Sequence, residues 1–325
     1  MSHTQTIKIG VIGVGYLGEF HVQQLQNIPH VNIIGITDLD YQRGNVIANK
    51  YNVEFYKKKN ELITLCDGLI IVTPTSSHYQ IASDVLKAGK HIFIEKPITS
   101  TIEQANELIQ IAHEKNLMIQ VGHIERFNPA FILLKEKNMS AQFIEVHRLA
   151  SFKSRGHDTS VVLDLMIHDI DIILAIINSQ ITDIHATGVN VITSETDIAN
   201  ARLTFKNGCI VNLTASRISL KEMRKMRIFQ EKSYVNIDFL NKTMEEYEVT
   251  DNQNEHENTQ IFPYDEQGKQ FIKYCKNEGV QHNALKEELK HFTESLKNNT
   301  TPIINGKVGR DALSVALTIQ DKINE

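Results

Sequence analysis

Residues 7–21 of the chain read IKIGVIGVGYLGEFH, and this stretch decides the fold of the first part of the protein. Its first eight residues are almost all apolar, as in a buried strand, and they run into glycines with the spacing G-x-G-x-x-G. The first glycine allows a tight turn, the second lets the backbone approach a pyrophosphate, and the third lets the next helix pack closely. The N-terminus of that helix attracts phosphate charge. We therefore expect a dinucleotide to contact Gly13, Gly15, Tyr16, Leu17 and Gly18.

The sequence up to about residue 125 alternates between strand-like and helix-like patterns. The strand-like runs are short, rich in Ile and Val and nearly all apolar, which is typical of parallel strands buried on both faces. They are residues 7–14, 31–38, 68–74, 91–97 and 118–124. Helical patterns lie between them, the clearest beginning at a capping box of Ser100 and Glu103. This alternation predicts an α/β Rossmann domain with a doubly wound parallel sheet over residues 1–124.

The pattern changes in the second part of the chain, which we assign to a separate domain over residues 125–325. Residues 198–216 alternate apolar and polar side chains around an Asn-Gly turn, which predicts an antiparallel hairpin. One-sided alternation indicates a sheet with one face on a core and one face exposed or covered by a partner. Residues 251–258 predict a polar loop, and two helices near 284–298 and 307–323 close the chain.

Composition and charge exclude several classes of function. The net charge is −5 and Lys and Arg are not in surplus, so neither a nucleic acid nor a membrane surface is an expected partner. No apolar run approaches the roughly 18 residues of a membrane span, and no signal segment begins the chain. Cys66, Cys209 and Cys275 are widely spaced, so we expect buried reduced thiols, no metal site and a cytoplasmic protein.

The ends of two further predicted strands carry candidate cofactor contacts. Asp38 lies twenty residues after Gly18, where a carboxylate can bind the ribose hydroxyls of NAD and repel the 2′-phosphate of NADP. An ordinary strand-end aspartate is the alternative. Thr73 and Pro74 follow another strand and are expected to line the cofactor. His78, a few residues on, either caps the next helix or contacts the ligand.

The stretch HIFIEKPIT, residues 91–99, places Glu95 and Lys96 at the carboxyl end of a predicted strand. Lys96 should therefore point toward the same crevice as the cofactor. An amine beside a positively charged nicotinamide ring gives up its proton more readily, which suits a proton shuttle for a substrate hydroxyl. Glu95 would orient or neutralise the lysine. A salt bridge at a strand end is the alternative.

Residues 161–177, VVLDLMIHDIDIILAII, predict a helix that is apolar almost all round. Asp164, His168 and Asp171 fall on one stripe of that helix, and a buried polar stripe costs free energy unless it is satisfied or used. His168 is a general acid/base candidate because histidine titrates near neutral pH. A satisfied structural histidine is the alternative, and the lack of a convincing third ligand argues against a metal.

Residues 121–131, VGHIERFNPAF, concentrate polar groups where the two predicted domains meet. They include His123, Arg126 and Asn128. Two roles are equally expected for Arg126: it contacts an anionic group of a substrate, or it forms an ion pair that ties the domains. Pro129 is expected to begin a helix.

Together, these motifs resemble the Gfo/Idh/MocA family of oxidoreductases over essentially the whole chain. The resemblance rests on G-x-G-x-x-G, T-P-x-x-x-H, E-K-P, D-x-x-x-H and the closing PIINGKVGRDALSVALTIQDKI. It implies a Rossmann domain followed by an α+β domain with a large, mostly antiparallel sheet, whose open face would form a homodimer or homotetramer. It further implies hydride transfer between NAD and a secondary alcohol of a sugar, sugar nucleotide or cyclitol. Lys96 and His168 would carry the hydroxyl proton, and Asp164 would bind substrate or orient them.

Two stretches, GHIERFNPA and SRISLKEMRKMRIFQ, resemble one branch of that family, the bacterial UDP-N-acetylglucosamine 3-dehydrogenases. In such an enzyme Lys153, Arg155 and Arg217 would meet a diphosphate, with plain surface charge as the alternative. The implied substrate contacts are Lys96, His123, Arg126, Asn128, Arg155, Asp164 and His168, and Glu95 and Lys96 would also contact NAD. A sensor that binds NAD without turnover and a reductase of a non-sugar substrate are the other functions that this fold allows.

Overall fold

The computed structural model describes residues 6–137, 139–152, 159–251, 259–264 and 269–325. Its helices are α1 (Tyr16–Leu25), α2 (Tyr41–Tyr51), α3 (Lys59–Leu65), α4 (Thr75–Lys87), α5 (Ile102–Glu114), α6 (Pro129–Lys135), α7 (Ile167–Ile176), α8 (Ala284–Asn298) and α9 (Gly306–Asn324). Its strands are β1 (Ile7–Ile12), β2 (Val31–Thr37), β3 (Gly68–Ile71), β4 (His91–Glu95), β5 (Ile119–Gly122), β6 (Phe143–Leu149), β7 (Ile181–Val189), β8 (Ile198–Phe205), β9 (Ile210–Ser216), β10 (Met223–Gln230), β11 (Ser233–Asp238), β12 (Thr243–Thr250), β13 (Thr259–Pro263) and β14 (Phe271–Glu278).

The chain divides into two units, and the second part of the sequence contributes to both. The first unit contains the residues up to Ile124 together with Asn283–Ser314, and the second contains Glu125–His282 and Val315–Glu325. The sequence-based division assigned everything after residue 124 to the second domain. The structure instead assigns residues 283–314 to the first unit. Leu289 and Phe292 of α8 explain the difference, because both side chains are buried in the core around β1.

The first unit is built on a five-stranded sheet in the order β2-β1-β3-β4-β5, and every strand pair is parallel. Every residue of β3 is buried, as is every residue of β1 except Lys8, as expected for strands covered on both faces. The predicted doubly wound parallel sheet is confirmed. The capping box of α5 lies one residue later than predicted. The side chain of Thr101 accepts a hydrogen bond from the backbone N–H of Gln104, and the side chain of Gln104 accepts one from the backbone N–H of Ser100.

The second unit is built on a nine-stranded sheet in the order β13-β14-β12-β11-β10-β6-β9-β8-β7. Only the β6–β9 pair is parallel among these described strands, so the expected large, mostly antiparallel sheet is confirmed. The predicted hairpin is also confirmed, since β8 and β9 pair on either side of Gly208, whose φ is +88°. Residues 252–258 of the predicted polar loop lie outside the described residues.

The helix predicted over 161–177 is interrupted by a turn of π-helix. Val162–Met166 form this π turn, and α7 continues from Ile167. A π turn bonds residue i to i+5, so positions before and after it no longer follow the α-helical spacing. Asp164 and His168 are partly exposed, whereas Asp171 is 1% exposed. The π turn therefore takes Asp164 out of the regular α-helical spacing, whereas His168 and Asp171 remain three residues apart within α7. Among the described residues, no helix has the length and apolarity to cross a membrane.

The loop between β7 and β8 is organised around the buried carboxylate of Asp197. Its Oδ2 accepts from the backbone N–H groups of Val191, Ile192 and Thr193 at 2.8, 2.6 and 2.9 Å. The Thr193 hydroxyl donates to Oδ1 at 2.8 Å. Burial alone would raise the pKa of Asp197, but these hydrogen bonds outweigh it and lower the pKa to about 2.

We expect an Asp197→Asn variant to lose stability in a pH-dependent way. The pKa of an aspartate in the unfolded chain is about 4, so the ionised carboxylate stabilises the fold above that pH, and its contribution is lost as the pH falls toward about 2. The free energy of unfolding should therefore differ most between wild type and variant above pH 4, and the difference should shrink below it. Urea unfolding at a series of pH values measures this. Asp183→Asn, at an exposed aspartate that pairs with His185, is the control, and a pH-independent difference for Asp197 would contradict the assignment.

Candidate active site

The glycine turn between β1 and α1 is shaped to receive a phosphate. Gly13 has φ +89°, and a Cβ there would collide with the carbonyl oxygen of Val72 and the side chain of Thr73. A Cβ on Gly18 would collide with the carbonyl oxygen of Gly13, so α1 can pack this closely only with glycine. At Gly15 a Cβ would meet no atom within 4 Å, which leaves open space beside the helix N-terminus. The turn therefore fits the pyrophosphate of a dinucleotide.

The carboxylate of Asp38 stands beside this turn at the end of β2. Its Oδ2 accepts from the backbone N–H of Val14 at 2.6 Å, and its Oδ1 accepts from that of Asp40 at 2.9 Å. Arg43 closes the other side, donating from Nε to the carbonyl oxygen of Val14 at 2.6 Å. Leu39 next to Asp38 is 99% exposed. The structure thus brings Asp38 to the predicted cofactor turn.

Lys96 follows β4, and the residue before it is held by a buried histidine. The Nε2 of His21, on α1, lies 2.8 Å from Oε1 of Glu95, and the backbone N–H of Lys96 donates to Oε2 at 3.2 Å. Burial would raise the pKa of Glu95, but His21 and Lys96 outweigh it, so the pKa is lowered and the group is ionised at neutral pH. Glu95 also fills the space beside Gly122, where a Cβ would lie 2.8 Å from its Oε2. The carboxylate is therefore fixed next to Lys96.

His78 is placed inside the protein rather than at a ligand surface. The side chain is on the first turn of α4 and the residue is 1% exposed. Its ring nitrogens lie 2.8 Å from the carbonyl oxygens of Pro97 and Thr73. Burial lowers its pKa, although both carbonyl contacts oppose the shift. These contacts favour the structural role over the predicted cofactor contact.

In the second unit a cavity of about 170 Å³ opens beside Asp164. Its walls are the π turn and the adjoining ends of β6, β9 and β10. Its charged lining consists of Asp164, Glu222, Arg148, Arg217 and Arg224. A π turn is frequent at functional sites, and here it presents the predicted catalytic aspartate to the cavity. His168 follows one turn later in α7 and is partly buried.

Arg148 anchors a buried charge cluster behind this cavity. Its guanidinium pairs with Asp169 through two hydrogen bonds of 2.7 Å and with Glu125 at 2.9 Å. Asn128 donates to the other oxygen of Glu125 at 2.9 Å. Burial would lower the pKa of Arg148, but the two carboxylates outweigh it and raise it, so the guanidinium stays charged. Sequence reasoning missed Arg148 and Asp169. The available signal was an arginine at an inward position of the alternating strand FIEVHRL.

The other arginines of the cavity are also paired. Arg217 donates to the carbonyl oxygen of Thr159 and lies 3.9 Å from Asp197, and Arg224 lies 3.4 Å from Glu125. The cavity lining and the residues that pair with it therefore contain three guanidiniums and five carboxylates. The carboxylates are those of Asp164, Glu222, Glu125, Asp169 and Asp197. The described lining therefore suits the hydroxyl groups of a sugar ring, to which guanidiniums donate and from which carboxylates accept.

Several predicted substrate contacts have other partners in the structure. Arg126 pairs with Asp171 at 2.6 and 2.9 Å, an ion pair within the second unit and not the predicted one between domains. Asn128 caps α6, accepting from the backbone N–H of Ala130 at 3.0 Å. His123 is 1% exposed in the first unit. Lys153 and Arg155 lie outside the described residues. Among the described residues, no three His, Cys, Asp or Glu side chains are grouped to hold a metal.

Comparison with known proteins gives matches over both units. A GFO/IDH/MocA model, described as an oxidoreductase family with an NAD-binding Rossmann fold, matches residues 7–123, and a GFO/IDH/MocA C-terminal domain model matches residues 139–235. A UDP-N-acetylglucosamine 3-dehydrogenase of Acidithiobacillus ferrooxidans is 35% identical over 98% of this chain and 97% of its own. A solved structure of that dehydrogenase superposes with a TM-score of 0.88 at 32% identity, covering 98% of both chains. A myo-inositol 2-dehydrogenase of Thermotoga maritima is 25% identical over 98% of this chain and 97% of its own.

Proposed function

The chain belongs to the GFO/IDH/MocA family of NAD-binding oxidoreductases, and we propose that it oxidises the C3 hydroxyl of UDP-N-acetylglucosamine (UDP-GlcNAc) with NAD. The main support for this substrate is the similarity to a UDP-GlcNAc 3-dehydrogenase over nearly the full length of both chains. The cavity beside Asp164 supports it, because its paired charges suit the hydroxyls of a sugar ring. A cyclitol is the second candidate substrate, supported by the similarity to a myo-inositol 2-dehydrogenase.

The proposed chemistry divides between the cofactor and the side chains. Bound NAD would accept the hydride from the carbon that carries the hydroxyl. Lys96 takes the hydroxyl proton as the carbonyl forms, with His168 as the second carrier, so the C–H and O–H bonds both break and the charges balance. Asp164 accepts a hydrogen bond from the substrate and fixes the reacting hydroxyl. Glu95, held by His21, keeps an ionised carboxylate beside the lysine.

The cofactor site supports NAD rather than NADP as the substrate of this enzyme. The glycine turn would hold the pyrophosphate, and Asp38 beside it would bind the hydroxyls of the adenosine ribose. A 2′-phosphate there would face the Asp38 carboxylate, and juxtaposed like charges cost several kcal/mol.

We expect Asp38→Asn to weaken this discrimination. The amide keeps an acceptor for the N–H of Val14 but removes the negative charge. The ratio of kcat/KM for NAD to that for NADP should fall by about 10- to 100-fold, because a tenfold change corresponds to about 1.4 kcal/mol. Asp40→Asn is the matched control. Asp40 caps α2 two residues away, and its replacement should leave the ratio unchanged. An unchanged ratio in Asp38→Asn would remove the basis for assigning NAD.

One assay tests the proposed activity. Purified protein with NAD is offered UDP-GlcNAc, free N-acetylglucosamine and myo-inositol, and NADH formation is followed by absorbance. We expect turnover with UDP-GlcNAc above both other compounds. Turnover with myo-inositol alone would favour the cyclitol. Tight NADH binding without turnover of any compound would contradict the proposal and favour an NAD-binding sensor.

We also propose a homodimer or homotetramer formed through the open face of the nine-stranded sheet. Neighbouring strands carry a row of half-exposed aromatic rings on that face, with successive centroids 5.7, 4.8, 5.2 and 4.9 Å apart. The row is Phe143, Phe229, Tyr234, Tyr247 and Tyr274. A contiguous apolar surface of this kind favours burial against a partner. Sedimentation should show an oligomer that Tyr234→Asp disrupts, and a monomeric wild-type protein would contradict the proposal.

A further inference from the structure

We propose that His78 is a positioning residue that holds Lys96 in register with the cofactor. This inference rests on the proposed function, because it takes Lys96 as the proton carrier. His78 itself would contact neither substrate nor cofactor. It would act through the backbone of Pro97, the residue that follows the lysine.

The imidazole of His78 joins two neighbouring loops. Thr73 follows β3 and Pro97 follows β4, and these two strands are adjacent in the parallel sheet. The ladder between them ends at the Ile71–Ile94 pair, so strand pairing does not hold the two loops beyond that point. The ring of His78 lies 2.8 Å from a carbonyl oxygen on each loop and is buried.

The two loops lead directly to the catalytic groups. Thr73 packs against the glycine turn, where a Cβ on Gly13 would collide with it. On the β4 side, Glu95 is fixed by His21 of α1, and Pro97 is fixed by His78 of α4. Lys96 therefore lies between two residues that buried histidines hold. Loss of either histidine should free one of the two residues beside Lys96, Glu95 or Pro97, while leaving the sheet intact.

The chemistry of the ring suggests a conservative replacement. Burial lowers the pKa of His78, so the ring is neutral at neutral pH and carries one N–H. Only one of its two carbonyl contacts can then be a hydrogen bond, and the proposal places the N–H on Nδ1, the nitrogen that faces the carbonyl oxygen of Pro97. A glutamine amide can supply one such bond. Leucine fills similar space without a donor and leaves the buried carbonyl of Pro97 without this hydrogen bond.

The test compares His78→Leu, His78→Gln and a control, His91→Leu. His91 begins the same strand β4 at its other end and accepts from the backbone N–H of Met118 at 3.0 Å. Displacing a catalytic group by about 1 Å costs on the order of 10²-fold in rate. We therefore expect His78→Leu to lower kcat by about 10- to 100-fold per NADH-binding site, with the KM for the sugar nearly unchanged. His78→Gln should recover most of kcat, and His91→Leu should keep it.

Normalising kcat to NADH-binding sites separates positioning from simple misfolding. An unchanged kcat in His78→Leu, no recovery in His78→Gln, or an equal loss in His91→Leu would overturn the proposal.

A second measurement needs no turnover of a sugar. It therefore distinguishes failure of the positioning role of His78 from failure of the proposed function. Lysine amines are methylated with a ¹³C label, the Lys96 resonance is identified by its absence in Lys96→Met, and it is followed in the NADH complex. His78→Leu should shift or broaden that resonance, and His91→Leu should not. An unaltered Lys96 resonance in His78→Leu would overturn the positioning role on its own.

Discussion

Replacing Lys96 with methionine is expected to lower kcat for UDP-GlcNAc oxidation by about 10³-fold, because general acid–base catalysis typically contributes 10²- to 10⁴-fold. Methionine keeps an unbranched apolar stem but cannot take the hydroxyl proton. NADH should still bind, since the glycine turn and Asp38 are untouched. Steady-state rates at saturating NAD, together with NADH titration, measure both effects.

Two further variants test whether the loss of activity is specific to the amine of Lys96. Lys90→Met removes a lysine just before β4, whose Nζ donates to the carbonyl oxygen of Thr64 at 3.3 Å, and it should keep full activity. Lys96→Arg introduces a guanidinium that cannot give up its proton, so it cannot accept the hydroxyl proton and should not restore turnover. Equal rates for wild type and Lys96→Met would contradict the assigned mechanism. A smaller loss in His168→Asn than in Lys96→Met would make the lysine the main proton carrier.

Replacing Arg148 with methionine is expected to destabilise the protein by about 3–5 kcal/mol, because it leaves the buried carboxylate of Asp169 without its cation and that of Glu125 with the longer pair to Arg224 at 3.4 Å. The side chains of Arg148, Asp169 and Glu125 are 4%, 3% and 5% exposed, so water cannot take over the lost hydrogen bonds. The cavity beside Asp164 should lose its shape as well, since Arg148 forms part of its wall. Urea unfolding followed by circular dichroism measures the change in midpoint.

The matched control for this prediction is Arg227→Met. Arg227 lies on the neighbouring strand β10 and pairs with Glu145 at 3.3 Å, but its side chain is 44% exposed. An exposed ion pair contributes about 1 kcal/mol or less, so the midpoint should move little. Equal shifts for the two variants would show that the buried cluster does not stabilise the second unit.

Local sequence patterns were sufficient to predict the strand, turn and helix that carry the glycines and Asp38. The apolar run before Gly13 and the twenty-residue spacing to Asp38 follow from a strand, a turn and a helix that are contiguous in sequence. Lys96 was assigned to a strand end for the same reason. Asp164 was also identified from its helix, and the structure places it at a cavity.

The cavity of the second unit depends on contacts between residues that are distant in sequence and was not predictable from local patterns. Arg148 pairs with Asp169 across 21 residues, and Arg217, which follows β9, lies 3.9 Å from Asp197, which precedes β8. The π turn at Val162–Met166 has no composition that separates it from an α-helix, so the sequence predicted one regular helix across it. Similarly, the packing of Leu289 and Phe292 in the core around β1 shows that α8 belongs to the first unit.

The most direct test of the central claim is the fate of the hydrogen at C3 of the sugar. UDP-GlcNAc that carries deuterium at C3 is incubated with the protein and NAD, and the reduced cofactor is analysed by mass spectrometry. Hydride transfer as proposed predicts NADH that carries the deuterium at nicotinamide C4, formed in equal amount with a 3-keto sugar nucleotide. Unlabelled NADH, or deuterium retained on the sugar while NADH forms, would contradict it.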